Sequence, residues 1–570
     1  MQIKKNLTIL NQQKSALFLL ALLFVVSPFY SVNNIGGIGL ALTFNIPIWV
    51  IASCFIAAGI ALFSSSRKWV YPSLWLYLLA FPVIVILIGF LNEVNRPTTW
   101  LMRQLYLLGG LGFLFALFQF RFKQQNLDNI LFIIIVATGL HGLLGSLQTL
   151  SLDEVTKWFP NRDLLPRGNF QQVNVLSSFL VTGIAVTLYY ISRPSFLTRA
   201  ITVKTVIVIS FMLAVYVVMA SGSRVGLLSL FLVVPLILVS RYKLLIRQKP
   251  MLGVLLAASC VSIYLGQTGI QQTMDKTSQL HDESYSAARL SLYAIGAELV
   301  IQKPFKGYGI GNFRKAWNPQ SSDYVNRNPD IHIPNSINHP HNEILFWLIE
   351  GGLLAFAGIL VFATGVFIAL YRCGFQRGGA YTAMLLPISL HTQVELPFYA
   401  SSLHWFIWLF LIYLVMGHQI KKVEIRLSKA ASISLQILAV IIAISTTAFM
   451  VNTAKAQKDL YDFLYNKNAE PPYLQKALNN LYFRPLAEQV AMRSNLYANI
   501  ENDNIEEVER FVLWANDYVN KDPELKVYED LISASVYLNP EGKGCDRITE
   551  ALTMYAHNKP LQKARDEKCS

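Results

Sequence analysis

The sequence predicts an all-α fold: a polytopic bundle of about 13 membrane spans followed by a small helical domain at the C-terminus. Three observations predict it. Of the 570 residues 54% are hydrophobic and only 14% are charged, where soluble domains carry about 25% charged residues; the mean hydropathy is +0.41. Apolar runs of about 20 residues, the length that crosses a bilayer as helix, recur along the chain. Finally, the connections between alternate runs are basic, as cytoplasmic loops are.

The first apolar run follows Lys4, Lys5 and Lys14 and ends at Ser31-Val32-Asn33-Asn34. With no small-x-small cleavage pattern there, it reads as an uncleaved span rather than a signal peptide. Spans are expected at 15–31, 38–63, 69–91, 100–120, 128–150, 172–192, 203–220, 225–241, 250–267, 342–370, 380–395, 401–418 and 430–451. The basic connections are SSSRK (64–68), RFK (121–123), 192–204, RYKLLIRQK (241–249), YRCGFQR (371–377) and KKVEIRLSK (421–429). With the N-terminus inside, all six fall on the cytoplasmic face and the C-terminus lies outside. The net charge of +14 is therefore a topology signal. After residue 451 there are 15 Lys+Arg against 19 Asp+Glu, or −4, which leaves +18 on the membrane part. Nucleic-acid binding is a poor account of such loop-confined charge.

The outside segments differ: 92–99, 151–171, 221–224, a long stretch 268–341 and 395–400. The long stretch is polar, and loops of that length are usually functional or disordered. Within it, 283–302 has a helical pattern led by Asp282 as N-cap. From about residue 455 the apolar spacing is that of a soluble helical domain, similar to tetratricopeptide repeats but without a strict period; packed helices alone account for it equally well. The division expected is a transmembrane domain 1–451, including the loop 268–341, and a periplasmic domain 452–570. No cysteine has metal-ligand spacing. Cys545 and Cys569 in the tail could pair if the tail lies in an oxidising compartment.

Polar outliers collect on the outer side. Arg167, Asn169, Gln171, Gln172 and Asn174 precede the sixth span, and Arg224 begins the eighth. Arg289 lies on the loop helix. His339, His341, Asn342 and Glu343 precede the tenth span; His391, Glu395 and Tyr399 surround the turn after the eleventh. Ionisable groups at membrane depth are expensive and usually functional. Each also has a plainer reading. Arg224 could anchor at the interface, and Arg289 could face water. His391 and Glu395, four apart, could satisfy each other. GYGIGNF (307–313) looks like a phosphate-cradling loop, but without a preceding strand and following helix of the right kind it reads as a turn. The His-Pro-His-Asn-Glu cluster is hardest to set aside, since Pro340 suits a helix start and fixes its neighbours.

Together the groups have one chemistry in common. Arginine forks bind phosphates. A histidine titrating near neutrality can take the proton of an acceptor hydroxyl, and a carboxylate can orient that histidine. Such a set at the outer edge of a membrane suits group transfer from a lipid-linked phosphate donor.

The run RLSLYAIGAELVIQKPFKGYGIGNF followed by HPHNEILFWLIEGG, with SGSR before the eighth span, resembles the core of the O-antigen ligase / O-antigen polymerase superfamily. RGNFQQVNVLSSFL (167–180) and HTQVELPFY (391–399) resemble the signatures of its protein-glycosylating branch. The resemblance covers roughly residues 160–420. It implies a bacterial inner-membrane O-oligosaccharyltransferase that moves a glycan from undecaprenyl diphosphate to Ser or Thr of exported proteins, often pilins, with no nucleotide, cofactor or obligatory metal. Carried over to this sequence, it implies catalytic roles for His341, Arg289 and Arg224. It implies substrate binding by Gln172, Asn174, His391, Glu395, Tyr399 and Glu343, beside which Arg167 and His339 are candidates. One departure is Pro340, which separates the two histidines where the family often has a small residue; His341 is the favoured base. An O-antigen ligase acting on lipid A-core, a polymerase and, from another class, a lipid-linked sugar transporter are the alternatives. A transporter would bind near the midplane between repeats; no repeat is found.

Overall fold

The computed structural model describes residues 2–150, 159, 165–278, 283–331, 333–334, 337–466 and 473–569. Asp282 lies outside the described residues, as do the side chains of 276–289, Arg289 among them. The protein is helical nearly throughout and is a multi-pass membrane protein. Among the described residues nine stretches are long and apolar enough to span; Arg224–Leu265 is one of them and holds two helices, Arg224–Leu245 and Lys249–Leu265. Trp75–Leu91 and Ser402–Met416 are shorter apolar helices. The chain forms two compact units.

The first unit comprises Met1–Leu79, Tyr106–Lys276 and Phe362–Tyr465. Its central helix, Val173–Ile191, is buried along almost its whole length. It can be enclosed because it carries no charge and is rich in small residues, which let neighbouring backbones approach. Two of its hydroxyls are satisfied within the helix: Thr182 and Thr187 donate to the Ser178 and Gly183 carbonyls at 2.9 and 2.8 Å. Helices Gln124–Thr149, Ile201–Ala220, Arg224–Leu245 and Gly374–His391 surround it. Two expected span boundaries move. The span expected at 69–91 begins instead as a strand, Lys68–Pro72, paired antiparallel to Ile420–Glu424, and its helix starts only at Trp75. Two basic connections thereby share their backbone hydrogen bonds, with Lys68 and Glu424 ion-paired at 3.3 Å. The last span, expected to end at 451, continues as one helix, Lys429–Tyr465. At 37 residues it is about 55 Å long, well beyond a bilayer core, and helix-favouring residues such as Ala454, Lys455, Ala456 and Gln457 carry it on.

The second unit comprises Ala80–Leu105, Thr277–Val361 and Asn466–Ser570. It contains the expected loop helix, Glu283–Gln302, then a helix Phe313–Arg327. The span expected as continuous over 342–370 is broken: within Glu343–Arg372, Gly352 has φ +62° and ψ −163°. The reason is local. Leu353 and Leu354 donate their N–H to the Pro304 and Phe305 carbonyls at 2.7 and 3.2 Å, so the preceding loop replaces the helical acceptors. A Cβ on Gly352 would lie 2.3 Å from the Phe305 oxygen, so only glycine fits.

The tail residues form successive helices Arg484–Glu501, Ile505–Lys521, Leu525–Leu538, Cys545–Met554 and Lys559–Lys568, neighbours packing on neighbours. Their core is Leu496, Val508, Phe511, Val519, Tyr528, Leu531 and Tyr555. Cys545 and Cys569 are disulfide-bonded, Cα atoms 5.6 Å apart. Helix Phe313–Arg327 packs on the tail: Asn318 donates to the Pro523 carbonyl and Tyr555 hydroxyl at 2.9 and 2.8 Å.

Candidate functional site

In the first unit two separate sequence segments, 172–174 and 391–395, meet at Glu395. Gln172 Nε2 donates to its Oε2 at 2.7 Å, Asn174 Nδ2 donates to Oε1 at 3.0 Å, and His391 Nε2 is 3.0 Å from Oε2. The other end of Asn174 accepts from the Ser223 hydroxyl at 2.7 Å. Ser223 is also the N-cap of Arg224–Leu245, accepting from the Gly226 N–H at 3.1 Å. One cap thus fixes the turn that presents Arg224, the first residue of that helix. His391 is fully buried, and its Nδ1 lies 2.8 Å from the Ser178 hydroxyl. Ser178 is in turn 3.3 Å from Nε2 of His404. The sequence expectation that His391 and Glu395 meet is met, but within a larger network. Gln172 and Asn174 each donate to one oxygen of Glu395, so the carboxyl group holds both amides in place beside the His391 ring.

Arg167 and Gly168 donate their backbone N–H to one oxygen of Gln148, at 3.0 and 2.7 Å. This fixes the entry to the Gln172 segment. Asn169 turns the other way, donating to the Pro28 carbonyl at 2.7 Å. Tyr399 lies on a short turn, Pro397–Ala400, held by Tyr106 Oη on the Phe398 carbonyl at 2.6 Å.

In the second unit His339 and His341 face each other with ring centroids 4.4 Å apart. The His341 N–H donates to Nδ1 of His339 at 3.2 Å, leaving Nε2 as the nitrogen that carries hydrogen on a neutral His339 ring. His341 has φ +53°, uncommon for a residue with a side chain and a frequent mark of functional segments. Asn342 then caps the helix, its Oδ1 accepting the Leu345 N–H at 2.9 Å. Glu343 begins that helix with one carboxylate oxygen buried and not hydrogen-bonded. Arg289 is carried on Glu283–Gln302.

The glycine loop is a turn, and its anion is a side chain of the protein. Gly307, Gly309 and Gly311 all have positive φ. Gly311 N–H donates to Oε1 of Glu350 at 3.1 Å and Gly309 N–H to the Glu350 carbonyl at 2.8 Å. The other carboxylate oxygen of Glu350 pairs with Arg103, whose guanidinium lies 4.5 Å from the Phe346 ring. Sequence reasoning passed over Arg103 and Glu350 as candidates, although an arginine inside an apolar run is a signal in itself. It also missed Gln148, Ser178, Ser223 and His404, which are ordinary polar residues until their partners are known. Among the described residues no three His, Cys, Asp or Glu side chains gather as metal ligands.

Three family matches divide along the same segments. Residues 209–360 match "O-antigen ligase", residues 380–568 match "virulence factor membrane-bound polymerase, C-terminal", and residues 166–190 match "protein glycosylation ligase". Arg224, Arg289, His339, His341 and Glu343 fall in the first; His391, Glu395 and Tyr399 in the second; Arg167, Gln172 and Asn174 in the third. No curated protein matches the chain.

Proposed function

We propose that this chain, a member of the O-antigen ligase superfamily that carries a protein-glycosylation-ligase signature, is an O-linked oligosaccharyltransferase. Its donor is a glycan on undecaprenyl diphosphate, and its acceptor is a Ser or Thr of an exported protein such as a pilin. The observation that supports a protein acceptor most is the bonding of Gln172 and Asn174, from the stretch matching the glycosylation ligases, to Glu395.

In this reading Arg224 and Arg289 hold the donor diphosphate and stabilise the charge that grows as it leaves. The acceptor oxygen attacks the anomeric carbon, the bond from that carbon to phosphate oxygen breaks, and undecaprenyl diphosphate departs. His341 takes the hydroxyl proton, and His339 positions it through the bond to the His341 N–H. The Glu395 network and Tyr399 bind polar groups of donor or acceptor, with Arg167 and Glu343 in supporting roles. The expected site is periplasmic on an inner-membrane protein; the tail disulfide supports an oxidising compartment for the C-terminus.

The decisive experiment compares a deletion strain with its parent. Loss of glycans from exported proteins with intact lipopolysaccharide is expected. Intact protein glycans with truncated lipopolysaccharide would favour the second reading, an O-antigen ligase, which the match over residues 209–360 supports. A phosphatase fused after Ser570 should be active; an inactive one would reverse the topology.

A further inference from the structure

Arg314 lies on the helix Phe313–Arg327 and is not part of any motif above. Its Nη1 is 3.0 Å from Oδ1 of Asp522 and 3.2 Å from Oε2 of Glu524, both in the tail. Its Nη2 donates to Oδ1 of Asn338 at 2.5 Å. Asn338 directly precedes His339-Pro340-His341. Asp522 is itself 5% exposed and takes a second arginine, Arg96, at 3.1 Å. One guanidinium therefore ties a buried tail carboxylate to the chain entering the histidine pair. On either side of Asn338, Ile337 and Pro340 are buried and Ile333 is buried further upstream, so apolar anchors pin the segment on both sides of the Arg314–Asn338 bond. Burial opposes the charge of Arg314, yet Asp522 and Glu524 raise its pKa above the ordinary value.

We propose that Arg314 is a positioning residue, transmitting the tail's anchorage through Asn338 to His339 and His341. The inference rests on the proposed role of those histidines in transfer. It also assigns the tail a task in the reaction, to fix the histidine segment from outside the membrane. Lysine cannot replace arginine here, because a single ammonium lacks the two-sided fork that spans Asp522 and Asn338.

The test uses the full chain in detergent. Asn338→Ala removes the bond to the histidine segment and leaves the Arg314–Asp522 pair in place. It should lower kcat for glycan transfer by about tenfold, the scale of loss when a reacting group is slightly misplaced, with KM for donor and acceptor unchanged. Asn338→Asp, which keeps the acceptor oxygen, should restore transfer. Arg314→Lys should behave as Asn338→Ala, and the double variant should be no worse than either single one. Hydrogen exchange gives a readout independent of activity: in Asn338→Ala, peptides covering 333–346 should exchange faster while tail peptides stay at wild-type rates. Unchanged exchange over 333–346 would overturn the inference whatever transfer shows. So would a normal kcat in Asn338→Ala when the wild type transfers. A wild type that transfers nothing, with faster exchange in the variant, would instead overturn the proposed reaction and leave the mechanical link standing.

Discussion

Gln172 Nε2 donates to Glu395 Oε2 at 2.7 Å across 223 positions of sequence. That bond joins the start of one buried helix to the end of another, and Asn174 and His391 complete the shell around the same carboxylate. The oxygens of Glu395 thus already have donors from the protein.

The first prediction follows. Glu395→Gln replaces with an NH2 group one of the two oxygens to which Gln172 and Asn174 donate, so one of those bonds is lost or must rearrange. Hydrogen bonds to charged groups contribute about 1.5–3 kcal/mol each, which corresponds to roughly ten- to a hundredfold in rate if the loss falls on the transition state. Transfer of a lipid-linked glycan to an acceptor protein should fall by that factor. Gln172→Ala should fall similarly, and the double variant Gln172→Ala/Glu395→Gln should be clearly less than additive. Additive losses would mean that the two residues act separately.

The second prediction separates the two histidines. His341→Ala should reduce transfer by about two to four orders of magnitude, the range for a lost general base, with donor binding nearly intact. The left-handed backbone at His341 complicates that variant, since histidine and asparagine adopt this region more readily than alanine. Asparagine tolerates the conformation, so His341→Asn is the cleaner test and should be equally inactive. His339→Ala should be milder, because it removes only the acceptor of the His341 N–H. A dead His339→Ala beside an active His341→Asn would move the base by two residues.

Most of the helices were legible in the sequence, because hydropathy runs and loop charge report directly on membrane insertion. The loop helix 283–302 was legible to the residue. What escaped was set by partners distant in sequence. Gly352 breaks its helix because the carbonyls of Pro304 and Phe305 arrive there, and no local propensity announces that. The glycine loop was legible as a turn, but its carboxylate partner Glu350 lies 39 positions from Gly311, and the apolar setting of Glu350 hid that role. The strand Lys68–Pro72 carries Trp69 and Val70 and merges into an apolar run, so its pairing with Ile420–Glu424 was invisible to a hydropathy reading. That Gln172 and Asn174 meet Glu395 depends on two segments more than 200 positions apart, which no local pattern reports.

A third prediction concerns Cys545 and Cys569. Oxidised, denatured protein should titrate three thiols, Cys54, Cys260 and Cys373, and five after reduction. Closing a loop of this size contributes about 3 kcal/mol. Cys545→Ser/Cys569→Ser should therefore lower the unfolding midpoint of the tail by several degrees, read by limited proteolysis of tail peptides. Five thiols without reductant would contradict the bridge.

The fourth prediction is a pH dependence confined to the tail. His557 is the only histidine after His418 in the chain. Burial lowers its pKa below the ordinary value, partly offset by the Pro334 backbone carbonyl. The unfolded chain takes up a proton near the usual histidine pKa of about 6.5, whereas the folded tail resists it. Below that pH the unfolded state binds more protons than the folded one, so stability falls as pH falls. The contribution is fully present above about pH 6.5 and is lost progressively as pH drops towards the folded pKa. Hydrogen exchange of peptides covering 545–568 should accordingly accelerate between pH 7.5 and 5.5, after correction for intrinsic exchange rates. His557→Gln cannot take up the proton, and should remove the acceleration even if it lowers stability at every pH. Persistence of the full pH dependence in that variant would assign it to the tail carboxylates instead. Glu529, its pKa raised by burial and by the neighbouring Asp530, is the first of them to be tested.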